Sequence, residues 1–228
     1  MSCFKLPVHI YKEICKISTK FWWGSSKNSG KKISWVAWDK LALPKSDGGL
    51  GFQDLGLFNE ALLTKQLWRL VSQPNLLISK VLKAKYFSKG GLLGCVPRSG
   101  DSWVWKSWLK SKKALEMGLR LQVGSGNVVR IWEAPWLLKT PAFMISGIKP
   151  ADCEIVWARE LMTDNGKNWN IGILEQLFCV EDIKNILQVP IKQDGSSDKW
   201  IWHWDSKGQF SVKSAYDQLL QARKNEKD

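Results

Sequence analysis

The stretch from Trp35 to Leu70, WVAWDKLALPKSDGGLGFQDLGLFNEALLTKQLWRL, constrains the fold of this chain more than any other segment. Trp35 and Trp38 stand three apart, a spacing that puts both indoles on one face of a short helix and anchors it to a core. The loop PKSDGGLGF follows, and its Gly48, Gly49 and Gly51 permit positive φ or close backbone approach without steric cost. The loop lacks the G-x-x-x-x-G-K-[ST] and G-x-G-x-x-G spacings and has no preceding strand, so a structural turn is expected rather than a phosphate cradle. From Asn59, a helix-capping residue type, FNEALLTKQLWRLVS places Leu62, Leu63, Leu67, Leu70 and Val71 on an apolar face, with Lys65 and Arg69 four apart on another.

Similar patterns continue on both sides. Val8 to Trp22 reads as an amphipathic helix with apolar Val8, Tyr11, Ile14, Cys15 and Phe21 and a stripe of Lys12, Lys16 and Lys20 spaced by four. The following SSKNSGKK has the composition of an exposed basic loop, and its Lys27, Lys31 and Lys32 are candidate phosphate contacts. Beyond Pro74, a helix over Leu76 to Tyr86 is expected to turn Leu77, Val81 and Leu82 inward and Lys80, Lys83 and Lys85 outward. The block from Asp101 to Met117 mixes Trp103, Trp105 and Trp108 with Lys106, Lys110, Lys112 and Lys113. Its indoles either stack on bases or pack into the core, and the spacing of Trp105 and Trp108 favours the core.

Two segments read as β-hairpins. Leu119 to Val123 and Val128 to Trp132 flank Gly124-Ser125-Gly126-Asn127, a strong turn signal. Trp200, Trp202 and Trp204 alternate as in a strand, and SKGQFSV reads as its returning partner before the helix VKSAYDQLLQA, with Tyr216, Leu219 and Leu220 inward. Short helices are expected between residues 154 and 189. The fold class is therefore α+β, mainly α-helical, with two short β-hairpins near 119–132 and 199–212.

Charge divides the chain. The net charge is +13; residues 1–150 hold 24 Lys+Arg against 8 Asp+Glu, and residues 151–228 hold 10 against 13. A basic domain over 1–150 that faces a polyanion, and a near-neutral segment over 151–228, are the expected organisation. Five cysteines, scattered without a C-x-x-C pair, and two histidines offer no readable zinc site. The sequence contains no apolar run of membrane-spanning length and no signal-peptide pattern, so an intracellular protein, nuclear or cytoplasmic, is expected.

Six motifs taken together carry a resemblance. FWWG at 21–24, the Trp35–Leu70 stretch, VLKAKYF at 81–87, DSWVWKSWL at 101–109, GLRLQVGSGNVVRIWEAPWL at 118–137 and DKWIWHWDSKGQFSVKSAY at 198–216 occur in order. In this the chain resembles plant LINE-type (non-LTR) retrotransposon reverse transcriptases, in the region after the polymerase core that leads into the reverse transcriptase zinc-binding domain. The resemblance implies thumb-like or connecting helices that grip a template-primer duplex, followed by the start of a zinc-binding module. The Y-x-D-D palm motif of that family is absent, as is any ribonuclease H pattern, so no catalytic residue, metal or cofactor is assigned. The expected function is non-specific binding of RNA or an RNA/DNA hybrid by Lys12, Lys16, Lys20, Lys27, Lys31, Lys32, Lys65, Arg69, Lys80, Lys83, Lys85, Lys110, Lys112 and Lys113. The alternatives are a degenerate structural remnant without ligand and a repurposed interaction protein.

Overall fold

The computed structural model describes residues 1–24, 34–88, 91–139, 142–192 and 195–226. Within them the α+β, mainly helical class holds. The helices are α1 (Val8–Trp22), α2 (Trp38–Leu41), α3 (Leu55–Ser72), α4 (Leu77–Tyr86), α5 (Trp103–Leu109), α6 (Lys112–Glu116), α7 (Ile171–Leu177), α8 (Val180–Leu187) and α9 (Val212–Asn225). Strands β1 (Leu119–Gln122) and β2 (Lys199–Trp202) form one antiparallel pair.

Helix α3 is the centre of the basic half. It packs against α1, α4, α5, α6, α9 and β2, which is why it buries Asn59, Ala61, Leu63, Thr64, Leu67 and Leu70 around much of its circumference. Leu63 and Leu67 are fully buried, each contributing roughly 1.5–3 kcal/mol. The helix starts four residues before the expected Asn59, because the Asp54 carboxylate accepts the Leu57 amide at 2.9 Å and caps it there. Asn59 has a different task. Its side chain receives the Leu6 amide at 2.8 Å and donates to the Met1 and Phe4 carbonyls, pinning the N-terminal segment on α3. Trp108 adds an indole bond of 3.0 Å to the Cys3 carbonyl.

Asp54 also joins α3 to α9. Its second carboxylate oxygen meets Arg223 at 2.7 Å, and its amide donates to the Tyr216 hydroxyl at 2.9 Å. Burial opposes ionisation of this carboxyl, yet the Leu57 amide and the Arg223 guanidinium outweigh it and hold the group below the usual carboxylate value.

The two expected hairpins do not close locally. β1 pairs with β2 in the register Leu119↔Trp202 and Leu121↔Trp200, across nearly eighty residues of sequence. The Gly124–Asn127 segment is diverted because the amides of Gly124, Gly126 and Val128 all converge on the Asp198 carboxylate, each at 2.8 Å. The segment after it then bonds to residues 156–158, through Ile131 N–H to Val156 O at 3.0 Å and Ala158 N–H to Val129 O at 2.9 Å. On the other side of β1, the Leu121 amide donates to the Pro135 carbonyl at 2.7 Å. After β2, the Asp205 carboxylate draws in the amides of Lys207 and Gln209, and the chain turns into α9 through the Ser211 cap instead of returning as a strand.

Two apolar clusters meet at this sheet. One gathers Leu63, Leu67, Trp105, Trp108, Leu115, Leu119, Trp202 and Leu219, among others; the second gathers Leu121, Val123, Ile131, Trp136, Leu161, Leu174 and Ile186. Trp200 packs on both. Of the tryptophan row, Trp202 is fully buried and Trp200 half-buried, which makes them core residues. Trp204 lies beyond the strand, more exposed, with its indole bonded to the Met117 carbonyl at 2.8 Å. Trp105 is stacked between partners as expected for core, with its ring 4.6 Å from Tyr86 and 5.9 Å from Phe87. Trp35, by contrast, is exposed and precedes α2.

Replacing Asp198 by Ala strands three amides at once and is expected to cost about 2–4 kcal/mol in denaturant unfolding. Acid is expected to weaken the fold in two stages. Burial, then the nearby Arg120 charge, lower the His203 pKa, so its contribution is present at neutral pH and is lost as pH falls below about 6.5. Asp54, also lowered, loses its contribution only below about pH 3.9. A thermal-melt series over pH checks both, and His203→Gln is expected to remove the first stage alone.

Candidate nucleic-acid interface

Helical spacing places Lys65, Trp68, Arg69 and Ser72 on one face of α3. Facing them is the turn after β2, shaped by the Asp205 carboxylate and by Gly208 at φ +71°. Between the two lies an open cleft of about 590 Å³ lined by Lys65, Trp68, Arg69, Ser72, Gln73, Gln209 and Phe210. Its aromatic floor is fixed: the Trp68 and Phe210 rings lie 5.9 Å apart at 23°, and Trp202 braces both from beneath at 6.5 and 4.8 Å. Trp202 is itself held by an indole bond of 2.9 Å to Ser214. Two cations, two side-chain amides and a flat aromatic surface thus converge, a set suited to phosphate neutralisation beside base stacking.

Lys65 and Arg69 were legible from spacing. Trp68 shares that face by the same spacing, whereas Gln209 and Phe210 were not legible, because only the long-range strand pairing brings the turn after β2 to α3. Arg69 is oriented by Gln66, 3.3 Å away on the same helix.

The lysine stripe of α1 is exposed as expected. Lys16 pairs with Glu13 at 2.6 Å, an exposed bond of small energetic value. Lys12, Lys16 and Lys20 line a second cleft of about 480 Å³ with Tyr11, Cys15, Thr19, Trp23, Trp38, Asp39 and Leu55. The apolar side of α1 departs from expectation: Val8, Ile14 and Phe21 are exposed, and the helix buries no residue. Tyr11 and Cys15, half-buried, lie on the side towards the cleft instead. Lys27, Lys31 and Lys32 fall outside the described residues.

On α4, Lys80, Lys83 and Lys85 are exposed. Leu77 and Val81, expected inward, are 78% and 52% exposed, because the packed face is formed by Ser79, Leu82 and Tyr86. Lys110 and Lys113 are exposed on the surface of the next helical block. Lys112 is occupied differently: its ammonium donates to the Leu93 and Cys95 carbonyls at 2.7 and 2.9 Å, tying α6 to the 92–95 turn.

From Asp47 to Phe52 every amide of the glycine-rich loop is engaged within the fold. The Asp47, Gly48 and Gly49 amides donate within the turn to Pro44 and Lys45, and those of Leu50, Gly51 and Phe52 donate to Leu41 and Leu43. A Cβ on Gly49 would stand 2.0 Å from the Leu43 carbonyl oxygen, whereas Gly48, at φ +77°, faces open space. Among the described residues no cluster of three or more His, Cys, Asp or Glu side chains is placed to hold a metal ion, and no helix is long and apolar enough to cross a membrane.

An uncharacterized mitochondrial protein of Arabidopsis thaliana, AtMg00310, is 41% identical over 143 residues, which span 62% of this chain and 92% of the relative. The chain belongs to the family of that protein. A second Arabidopsis relative, named "Putative ribonuclease H protein At1g65750", is 31% identical over 233 residues, covering 96% of this chain but 36% of the relative. The chain thus spans about a third of this longer protein. Together the two relatives point to a plant, transposon-derived origin. No family model and no solved structure matches the chain.

Gly49→Ala is expected to destabilise the fold by about 3 kcal/mol through overpacking against backbone, and Gly48→Ala by about 1–2 kcal/mol through left-handed strain. Neither substitution is expected to alter nucleic-acid affinity in variants that remain folded, which a binding titration beside thermal melts would check.

Proposed function

We propose that the chain is a non-catalytic part of a plant LINE-type retrotransposon reverse transcriptase, lying beyond the polymerase core, that holds RNA or an RNA/DNA hybrid without reading its sequence. The observation that carries this reading is the convergence of Lys65 and Arg69 on a cleft floored by Trp68 and Phe210. Exposed lysines on α1, α4 and the α5–α6 block add further positive surface, and such contacts position a backbone without selecting bases. The longer relative and the ordered motifs support the same reading.

Fluorescence anisotropy with labelled RNA and an RNA/DNA hybrid across a salt series tests it. Affinity is expected to fall with salt at a log-log slope of about −0.7 to −0.9 per neutralised phosphate. Lys65→Glu with Arg69→Glu is expected to weaken binding at least about tenfold, whereas Lys112→Gln is expected to lower stability and leave affinity unchanged. Absence of binding by the folded chain at low salt would rule the reading out.

A second reading, association with another protein, draws on a different observation. Ile10, Ile14, Ile17 and Phe21 form one exposed apolar stripe along α1, with exposures of 39%, 40%, 66% and 85%. Sedimentation that stayed monomeric over a wide concentration range would argue against self-association through it.

A further inference from the structure

Helix α4 turns an apolar stripe towards solvent that neither the core nor a nucleic acid uses. Its inner side is fixed: the Ser79 hydroxyl reaches the Arg69 carbonyl at 3.5 Å, Leu82 packs on the cluster around α3, and the Tyr86 ring stacks on Trp105 at 4.6 Å with its hydroxyl 3.0 Å from Ser102. These contacts set the rotation of the helix. On the outer side Leu77 and Val81 are 78% and 52% exposed, and Ala84 is exposed with them. Ile78, beside this row, is 43% exposed. One exposed aliphatic side chain means little, whereas a contiguous row along one helix face marks a surface built for contact.

The spacing of the row narrows what covers it. Leu77, Val81 and Ala84 follow one another by four and then three residues, which is the spacing of a helix–helix seam and narrower than the face a helix lays on a core or a membrane. In that register Lys80 stands on one flank of the seam and Ile78 and Lys85 on the other, the positions at which charge selects a partner helix. Both lysines are exposed, and neither joins an ion pair among the described residues; Lys85 rests 5.2 Å from the centroid of the Tyr86 ring. The chain from Ala61 to Gly100 contains no Asp or Glu, so this region is uniformly cationic. A phosphate backbone would satisfy the lysines and gain nothing from Leu77 and Val81. A second copy would set lysine against lysine in either helix orientation. The seam and its flanks are complementary to a helix that is apolar along its own seam and acidic beside it.

We propose that α4 is a docking helix for an acidic amphipathic helix of another protein, laid along Leu77, Val81 and Ala84 with Asp or Glu side chains against Lys80 and Lys85. With 10 residues, α4 offers a seam of about three turns, about 15 Å long. A contact of that size is reversible, with a dissociation constant on the order of 10–100 μM. The inference does not depend on the nucleic-acid reading, whose cleft is floored by Trp68 and Phe210. Lys83, further round α4, lies outside the seam.

The test titrates the full chain into a labelled heptad-repeat peptide with Leu along its seam and Glu on both flanks, followed by fluorescence anisotropy. Two control peptides accompany it: one with Lys on the flanks, and one scrambled, which keeps the charge and loses the seam. The Glu-flanked peptide is expected to bind at least about tenfold more tightly than either control. Leu77→Gln with Val81→Gln is expected to weaken that binding about tenfold and to leave the thermal melt and the RNA titration unchanged, because both side chains are exposed. Lys80→Glu with Lys85→Glu is expected to reverse the preference, so that the variant binds the Lys-flanked peptide better. Equal binding of the ordered and scrambled peptides, or affinity unchanged in Leu77→Gln with Val81→Gln, would overturn the inference. So would dimerisation in sedimentation, or flotation with phosphatidylserine vesicles, that the same double variant abolishes, since the stripe would then serve a second copy or a lipid surface. Peptide binding without RNA binding would leave the docking helix standing and sink the nucleic-acid reading, and RNA binding without peptide binding would do the reverse.

Discussion

The pairing of β1 with β2 is the constraint on which the rest of the structure depends. Each strand has only four residues, and a two-stranded ribbon of that size is marginal by itself. It persists because one face, formed by Leu119, Leu121, Trp200 and Trp202, is shared between both apolar clusters. Breaking the pair would expose Trp202, remove the brace beneath Trp68 and Phe210, and release the turn that forms one wall of the α3 cleft.

Aspartates organise the loops around that ribbon. Asp198 collects three amides from the 124–128 turn, and the fully buried Asp182 collects the amides of Ser146 and Gly147 at 3.2 and 3.0 Å. Asp54 caps α3 and receives Arg223. An ionised carboxylate accepts several bonds at once, so a single side chain can satisfy a loop that no strand or helix reaches. The consequence for function is direct: the amides that these aspartates collect are engaged and do not cradle a phosphate.

Much of the helical content was readable because its signals are local. The existence of α1, α4 and α9 follows from apolar spacing, caps and prolines, and the common face of Lys65 and Arg69 follows from the pitch of one helix. The errors share one cause. Asn59 looked like a cap, but Asp54 took that position and Asn59 was drawn inward by the N-terminal segment. Gly124–Asn127 looked like a hairpin turn, but a carboxylate seventy residues away outcompeted the local ladder. Leu77 and Val81 looked like core, but α4 meets α3 through Ser79, whose hydroxyl reaches the Arg69 carbonyl at 3.5 Å. Charge divides the chain near residue 150, whereas cluster membership runs differently, since β2 and α9 pack with α3.

By itself, the sequence determined most of the helical segments, the excess of positive charge over residues 1–150 and the order of the motifs, because periodicity, composition and motif order are properties of neighbouring residues. Tertiary structure alone decided which segments pair as strands, which lysines are committed to carbonyls, and which aromatic groups lie beside Lys65 and Arg69. Those outcomes depend on contacts between residues far apart in the chain, where the winning partner for a carboxylate, an amide or an indole is chosen by packing and not by proximity in sequence.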